Sequence, residues 1–226
     1  MADAKVVLVT GAAGNVGSAL IDLLGKAGHR TVALVRPGET QAAATLSLAA
    51  EDLSDPASAE AAVAEAAAAM GRIDGLVNTV GGFAMAPLGD SAPALWHKMF
   101  AINVLTTLNM VRAVLPHLRA GGGGSIVAIG AGAAVRAPSG MAAYAASKSA
   151  VLRLVESTAD ECKHERIRVN AVLPGTIDTP QNRTAMPDAD PSLWTTPHEV
   201  AAVIAFLLSD AASGVTGAAV PVPGRA

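Results

Sequence analysis

Tyr144 and Lys148, in the segment Tyr144-Ala-Ala-Ser-Lys148, are the residues of this chain best suited to acid–base chemistry. Four positions apart on a helix, their side chains leave one face, so a phenol and an ammonium can enter the same cleft. A fixed positive charge beside the phenol favours phenolate and is expected to lower its pKa toward neutrality. Such a tyrosine can pass a proton to a substrate while a nicotinamide passes a hydride. Tyr144 is the chain's one tyrosine.

A place for the nicotinamide carrier is written near the N-terminus, in Thr10-Gly-Ala-Ala-Gly-Asn-Val-Gly17. Glycines at Gly11, Gly14 and Gly17 permit a tight turn, close approach to a pyrophosphate and close helix–strand packing. The helix that begins around Asn15 and Val16 then points free N–H groups and its positive dipole end at the phosphates. Three spaced glycines alone are a weak signal; their place directly after a first strand strengthens it. At the end of the next strand stands Arg36. An arginine there pairs with the 2′-phosphate of NADP, whereas a carboxylate would bind the 2′-hydroxyl of NAD. NADP is therefore favoured over NAD, although Arg36 also reads as a solvated arginine beside a proline turn. Asp52 and Leu53 are placed to hold the adenine; a helix-capping role for Asp52 is the plain alternative.

These residues need a scaffold that gathers them, and the chain alternates strand and helix signals throughout. Lys5–Thr10, Thr31–Arg36, Thr45–Ala49, Ile73–Asn78, Ser125–Ile129, Ile167–Val172 and Ala218–Val222 read as strands. Asn15–Ala27, Pro56–Met70, Ala94–Arg119, Tyr144–Glu165 and Pro197–Leu208 read as helices between them. Such alternation predicts parallel strands with right-handed crossovers, hence a single-domain α/β Rossmann fold spanning residues 1–226, a doubly wound parallel sheet flanked by helices. The Gly121–Gly124 run is a turn, not a domain boundary.

Composition narrows the function classes. Sixteen basic against nineteen acidic residues give a net charge of −3, without the basic footprint of a nucleic-acid binder. A single cysteine, Cys162, excludes an internal disulfide and fits a reducing compartment. Apolar runs are interrupted before reaching the roughly 18–20 residues of a membrane span, and a strand so near the start leaves no room for a signal peptide. The five histidines lack metal-ligand spacing, so no metal is expected. A cytoplasmic protein acting on a small molecule, with no nucleic-acid or membrane partner, is the expectation.

Taken together, the glycine loop, Asn78 with Gly81, Asn103, Tyr144-Ala-Ala-Ser-Lys148, and Pro174-Gly175 with Thr179 resemble the short-chain dehydrogenase/reductase family over essentially the whole chain. The resemblance implies that Asn78 and Gly81 support the adenosine side and that Asn103 relays protons to Lys148 through water. It implies that Pro174, Gly175, Ile177 and Thr179 wrap the nicotinamide end, and that the protein is a homodimer or homotetramer. Asn78 and Asn103 also read as ordinary cap or turn residues.

One position departs from the family. Its catalytic serine corresponds to Ala131, thirteen residues before Tyr144. Losing a donor to a developing oxyanion costs on the order of 10²–10³ in rate, unless the substrate builds little oxyanion. Within the family, the chain is similar to the dihydropteridine reductase-like branch, which also lacks that serine. The similarity is carried by Ala131–Lys148 and above all by LPGTIDTPQNRTAMPDADPSLWT, Leu173–Thr195. By that likeness a quinonoid dihydropteridine is the expected substrate, residues 178–196 form a substrate loop, and Phe83, Ala131 and Trp194 line the pocket. Phe83 and Trp194 read equally well as packing residues. Two other readings stay open: a ketone or 3-oxoacyl reductase that tolerates Ala131, and a non-catalytic dinucleotide-binding sensor.

Overall fold

The computed structural model describes residues 4–225. A first strand of five buried residues, β1 (Val6–Thr10), sends Val6 and Leu8 to one apolar cluster and Val7 and Val9 to the other. Side chains alternate across a strand, so a strand apolar at every position must be covered on both faces. The same holds for β2 (Arg30–Val35) and β4 (Gly75–Asn78), whose buried residues divide between the two clusters. With β3 (Leu46–Ala49), β5 (Gly124–Ile129), β6 (Ile167–Pro174) and β7 (Ala219–Val222), they form one parallel sheet in the order β3-β2-β1-β4-β5-β6-β7. This is the doubly wound single domain that the alternating pattern predicts.

One face is covered by α1 (Asn15–Lys26) and α7 (Pro197–Leu208). The other is covered by α2 (Pro56–Met70), α4 (Thr106–Ala120) and α5 (Ala142–Cys162). The predicted single helix over Ala94–Arg119 is instead α3 (Pro93–Phe100), a π-helical turn over Ala101–Leu105, and α4. A π turn inside a helix widens the backbone locally and often marks a functional position; here it carries Asn103. By length and composition the stretch Pro93–Ala120 could cross a bilayer, yet half of its apolar window is buried inside the domain, as in a core helix. The stretch after β6, expected as a loop, contains a short helix, α6 (Pro180–Ala185), that begins on the cap residue Thr179.

The order of strands reverses between β1 and β4, and the chain leaves these strands on opposite sides. That leaves a crevice outside their C-terminal ends, where open α/β sheets bind ligands. Contact between α1 and β1 defines one wall of it. A Cβ on Gly17 would stand 2.4 Å from the Gly11 carbonyl oxygen and 2.7 Å from Ala12 Cα, so the helix can start this close only on glycine. We predict that Gly17→Ala destabilises the fold by about 1–3 kcal/mol through overpacking. Gly25→Ala, on the same helix with nothing within 4 Å of the new methyl, should stabilise it by roughly 0.5–1 kcal/mol. Equal melting temperatures for the two variants would contradict this account of the glycine loop.

Candidate active site

The crevice is a cleft of about 710 Å³ running from the glycine loop to the ends of β2 and β3. Gly11, Gly14 and Asn15 form its floor, Arg36, Asp52 and Leu53 its far end, and Val80, Gly81 and Ile102 its opposite wall. Gly14 caps α1 in an extended conformation without a side-chain cap bond, which leaves the first helical N–H groups available to a phosphate. Size, glycine floor and open helix end together fit a dinucleotide. Asn15 Nδ2 donates to Gln181 Oε1 at 3.2 Å, tying the glycine loop to α6, and Gln181 also lines the cleft.

Several predicted residues are engaged in hydrogen bonds within the protein. Asn78 is buried: it accepts from the Thr10 hydroxyl and donates to the Thr107 hydroxyl, each at 2.8 Å. Thr10 Oγ1 in turn accepts from the N–H groups of Thr79 and Val80. The network thus holds the loop after β4 against the glycine loop. Asp52 Oδ1 is engaged by the N–H and hydroxyl of Ser54, which holds its carboxyl below the usual range, while the adjacent Asp55 caps α2. The Gly175 N–H donates to the Val222 carbonyl, and Pro174 ends β6 beside β7. Ile177 bridges to Thr195, and the Thr179 hydroxyl accepts from the Asn182 N–H. Trp194 is buried at 6% exposure, so the structure places it as an anchor beneath its loop.

Behind Gly81, on the far side of the cleft wall, Lys148 and Asn103 come together, with Tyr144 one turn before Lys148 on α5. Lys148 is almost fully buried and donates from Nζ to the Ile129 carbonyl at 2.7 Å. Asn103 is clamped on three sides: Oδ1 accepts from the Gly82 N–H, and Nδ2 donates to the Gly82 carbonyl and to Ser147 Oγ. Ser147 then donates to the Tyr144 carbonyl at 2.7 Å. A Cβ on Gly81 would approach Asn103 Oδ1 to 2.9 Å and Lys148 Nζ to 3.0 Å; glycine there lets both polar groups close on the wall of the cleft. The Tyr144 ring meets Phe83 edge-on, with centroids 5.0 Å apart and planes at 76°, while Phe83 itself is 60% exposed. Ala131 is buried two residues beyond Ile129 and offers a methyl group where a hydroxyl would donate.

The electrostatics differ from the expectation. Tyr144 is not pulled toward neutrality by Lys148; burial pushes its pKa up, because the desolvated phenolate loses more than it gains. The phenol therefore stays protonated at neutral pH, the state a proton donor needs. Burial also brings the Lys148 ammonium down to about 8, with no carboxylate to offset it.

Among the cleft residues that sequence reasoning misses are Gln181 and Glu39. Gln181 gives no signal, since only the fold brings α6 over the glycine loop. Glu39 follows Arg36 by three positions across Pro37-Gly38, a turn signal that could have paired them; Arg36 Nη2 is ion-paired with Glu39 Oε1, and both line the cleft.

A family model described as short chain dehydrogenase matches residues 5–190. D-threitol dehydrogenase from Mycolicibacterium smegmatis is 34% identical over 98% of this chain and 92% of its own length. A short-chain type dehydrogenase/reductase from Mycobacterium ulcerans superposes with a TM-score of 0.91 at 28% identity, over 98% of this chain and 89% of that one. An NAD⁺-bound xylitol dehydrogenase superposes with a TM-score of 0.89 at 28% identity, over 97% of this chain and 98% of that one.

The buried ammonium generates a prediction in stability. Lys148 titrates at about 8 when folded and near 10.4 when unfolded. Between these values the unfolded chain binds more protons, so stability rises with pH there, and the cost of the buried charge is fully present below about 8. Denaturant titrations should therefore show wild type gaining on Lys148→Met from pH 8 to 10. A constant difference across that range would mean that Lys148 is not a desolvated ammonium.

Proposed function

The chain belongs to the short-chain dehydrogenase family and is an NAD(P)-dependent oxidoreductase, and from that premise we propose that it works as a reductase of a quinonoid dihydropteridine or a similarly conjugated ring. The observation that carries this reading is Ala131: the site offers the substrate one side-chain proton donor, Tyr144, and no hydroxyl to hold an oxyanion. The coenzyme, when bound, supplies hydride. Everything else falls to the chain's own side chains. The glycine floor and the open end of α1 bind the pyrophosphate. Lys148, held on the Ile129 carbonyl, keeps ammonium N–H groups to present at the ribose and nicotinamide end, while Asn103, whose amide hydrogens are spent on Gly82 and Ser147, fixes the surrounding wall. Tyr144, protonated because it is buried, delivers its proton to a ring nitrogen or oxygen. A cross-conjugated, nitrogen-rich ring spreads the arriving charge, so the missing donor costs little there, whereas a simple ketone would lose the stabilisation of its alkoxide.

Phe83 supports the same reading. Its ring stands edge-on to Tyr144 and is 60% exposed, which leaves it free to contact a planar substrate. The segment Leu173–Thr195, which carries the resemblance to dihydropteridine reductases, reaches the cleft through Gln181 of α6. In this reading the protein assembles as a homodimer or homotetramer; partly exposed Phe100 and Leu105 lie on the helical stretch that would contribute to such an interface.

A second reading has its own support. The relatives named above as threitol and xylitol dehydrogenases act, by their names, on alcohols, which points to an alcohol–ketone couple tolerating Ala131. Coenzyme oxidation with quinonoid dihydropterin, beside simple ketones, separates the two. We expect pterin turnover in wild type, a loss of at least about 10²-fold in Tyr144→Phe, and ketone turnover that emerges or rises in Ala131→Ser. Ketone turnover by wild type with none of pterin would sink the leading reading. Coenzyme binding without turnover of either substrate would sink both and leave a dinucleotide-binding sensor.

A further inference from the structure

The glycine loop is fastened from behind by a side chain that lies outside the cleft. Gln41, in the loop between β2 and β3, donates from Nε2 to the Ala12 carbonyl at 3.0 Å and to Ser18 Oγ at 2.9 Å. Ser18 Oγ donates to the same carbonyl at 3.2 Å. Gln41 is itself held in place. Its N–H donates to Ser47 Oγ on β3 at 3.2 Å, and its carbonyl accepts from the Ala44 N–H at 3.1 Å. The Ala12 N–H donates to the Leu34 carbonyl on β2 at 3.3 Å, so Ala12 is bonded to this part of the fold in both directions. Ala12 is fully buried, and neither it nor Ser18 nor Gln41 lines the cleft. Ala13, the next residue, is exposed and does line it.

A trans peptide points its carbonyl and the following N–H in opposite directions. An Ala12 carbonyl held on Gln41 behind the loop therefore turns the Ala13 N–H toward the cleft. Among the described residues that N–H has no acceptor, the state required of a backbone donor to phosphate. Were the peptide turned over, a carbonyl oxygen would face the phosphates instead. Resting on the coenzyme binding stated above, we infer that Gln41 is a positioning residue for the coenzyme's pyrophosphate: it anchors the Ala12–Ala13 peptide so that the Ala13 N–H is presented to the phosphates. Gln41 acts without touching the coenzyme. Its effect is specific to the phosphates, because the peptide it holds belongs to the glycine floor and not to the adenosine end at Asp52 and Leu53.

The test separates phosphate binding from adenosine binding and needs no substrate. Gln41→Leu keeps the bulk and removes the donor; Gln41→Glu keeps the shape and puts an acceptor in its place. Gln41 is partly exposed in a loop, so both variants should melt close to wild type. Displacement of bound, fluorescent NADH or NADPH by ADP and by adenosine is then measured on all three proteins. We expect both variants to weaken ADP by about tenfold, the worth of one hydrogen bond to a charged group, and adenosine by less than roughly threefold. Unchanged ADP affinity in the two variants would overturn the inference. Equal weakening of ADP and adenosine would overturn it as well, since a general loosening of the loop does that. Failure of wild type to bind either reduced coenzyme would overturn it together with the coenzyme reading.

Discussion

Lys148 is a charged side chain, 4% exposed, held by one backbone carbonyl at the end of β5. A buried ammonium is costly unless it is hydrogen-bonded, and the surroundings are arranged around that requirement. The Ile129 carbonyl is free to accept because β5 ends there. Gly81 lacks the side chain that would occupy the ammonium's place. The π turn carries Asn103 to the same point, where its amide bonds Gly82 in both directions and fastens Ser147. Tyr144, one helical turn before Lys148, is set by the same helix. The candidate site is thus built around a single buried cation, bonded by β5 and enclosed by the loop after β4, the π turn and α5.

The same economy explains why so many residues of the family pattern lie away from the cleft. Asn78 does not line the cleft; it joins Thr10 to Thr107 through a buried hydrogen-bond network. Buried polar networks of this kind are stabilising only when complete, and among the described residues no buried side-chain nitrogen or oxygen lacks a partner. Thr179 likewise serves a backbone N–H at a helix start. A residue type can mark a functional region because it builds the wall of a site without touching what the site binds.

Burial also sets the protonation state of Tyr144. A tyrosine whose pKa is raised keeps its proton and suits reduction, where it donates; a lowered pKa would suit oxidation, where it must accept. With Ala131 beside it, the site offers a protonated phenol and little else to an acceptor. In the function proposed above, that combination suits a substrate able to disperse charge within itself.

The sequence alone determined the fold class, because seven β-rich runs alternating with helical stretches admit few arrangements, and local periodicity survives in any context. It determined the glycine loop and the Tyr144–Lys148 pair, since four residues on a helix define a face whatever surrounds it. It also exposed the Ala131 substitution, which spacing from Tyr144 locates without coordinates. The π turn at Asn103 was not legible, as its residues read as ordinary helix and only packing against α5 and the loop after β4 widens it. The pKa of Tyr144 was misjudged for a related reason: spacing reveals the neighbouring charge but not the burial that outweighs it. Tertiary structure alone decided that α6 lies over the glycine loop and that Trp194 is buried. It alone joined Arg36 to Glu39 within the cleft, because side-chain pairing depends on where the backbone turns, and distance in space is what a linear sequence leaves out.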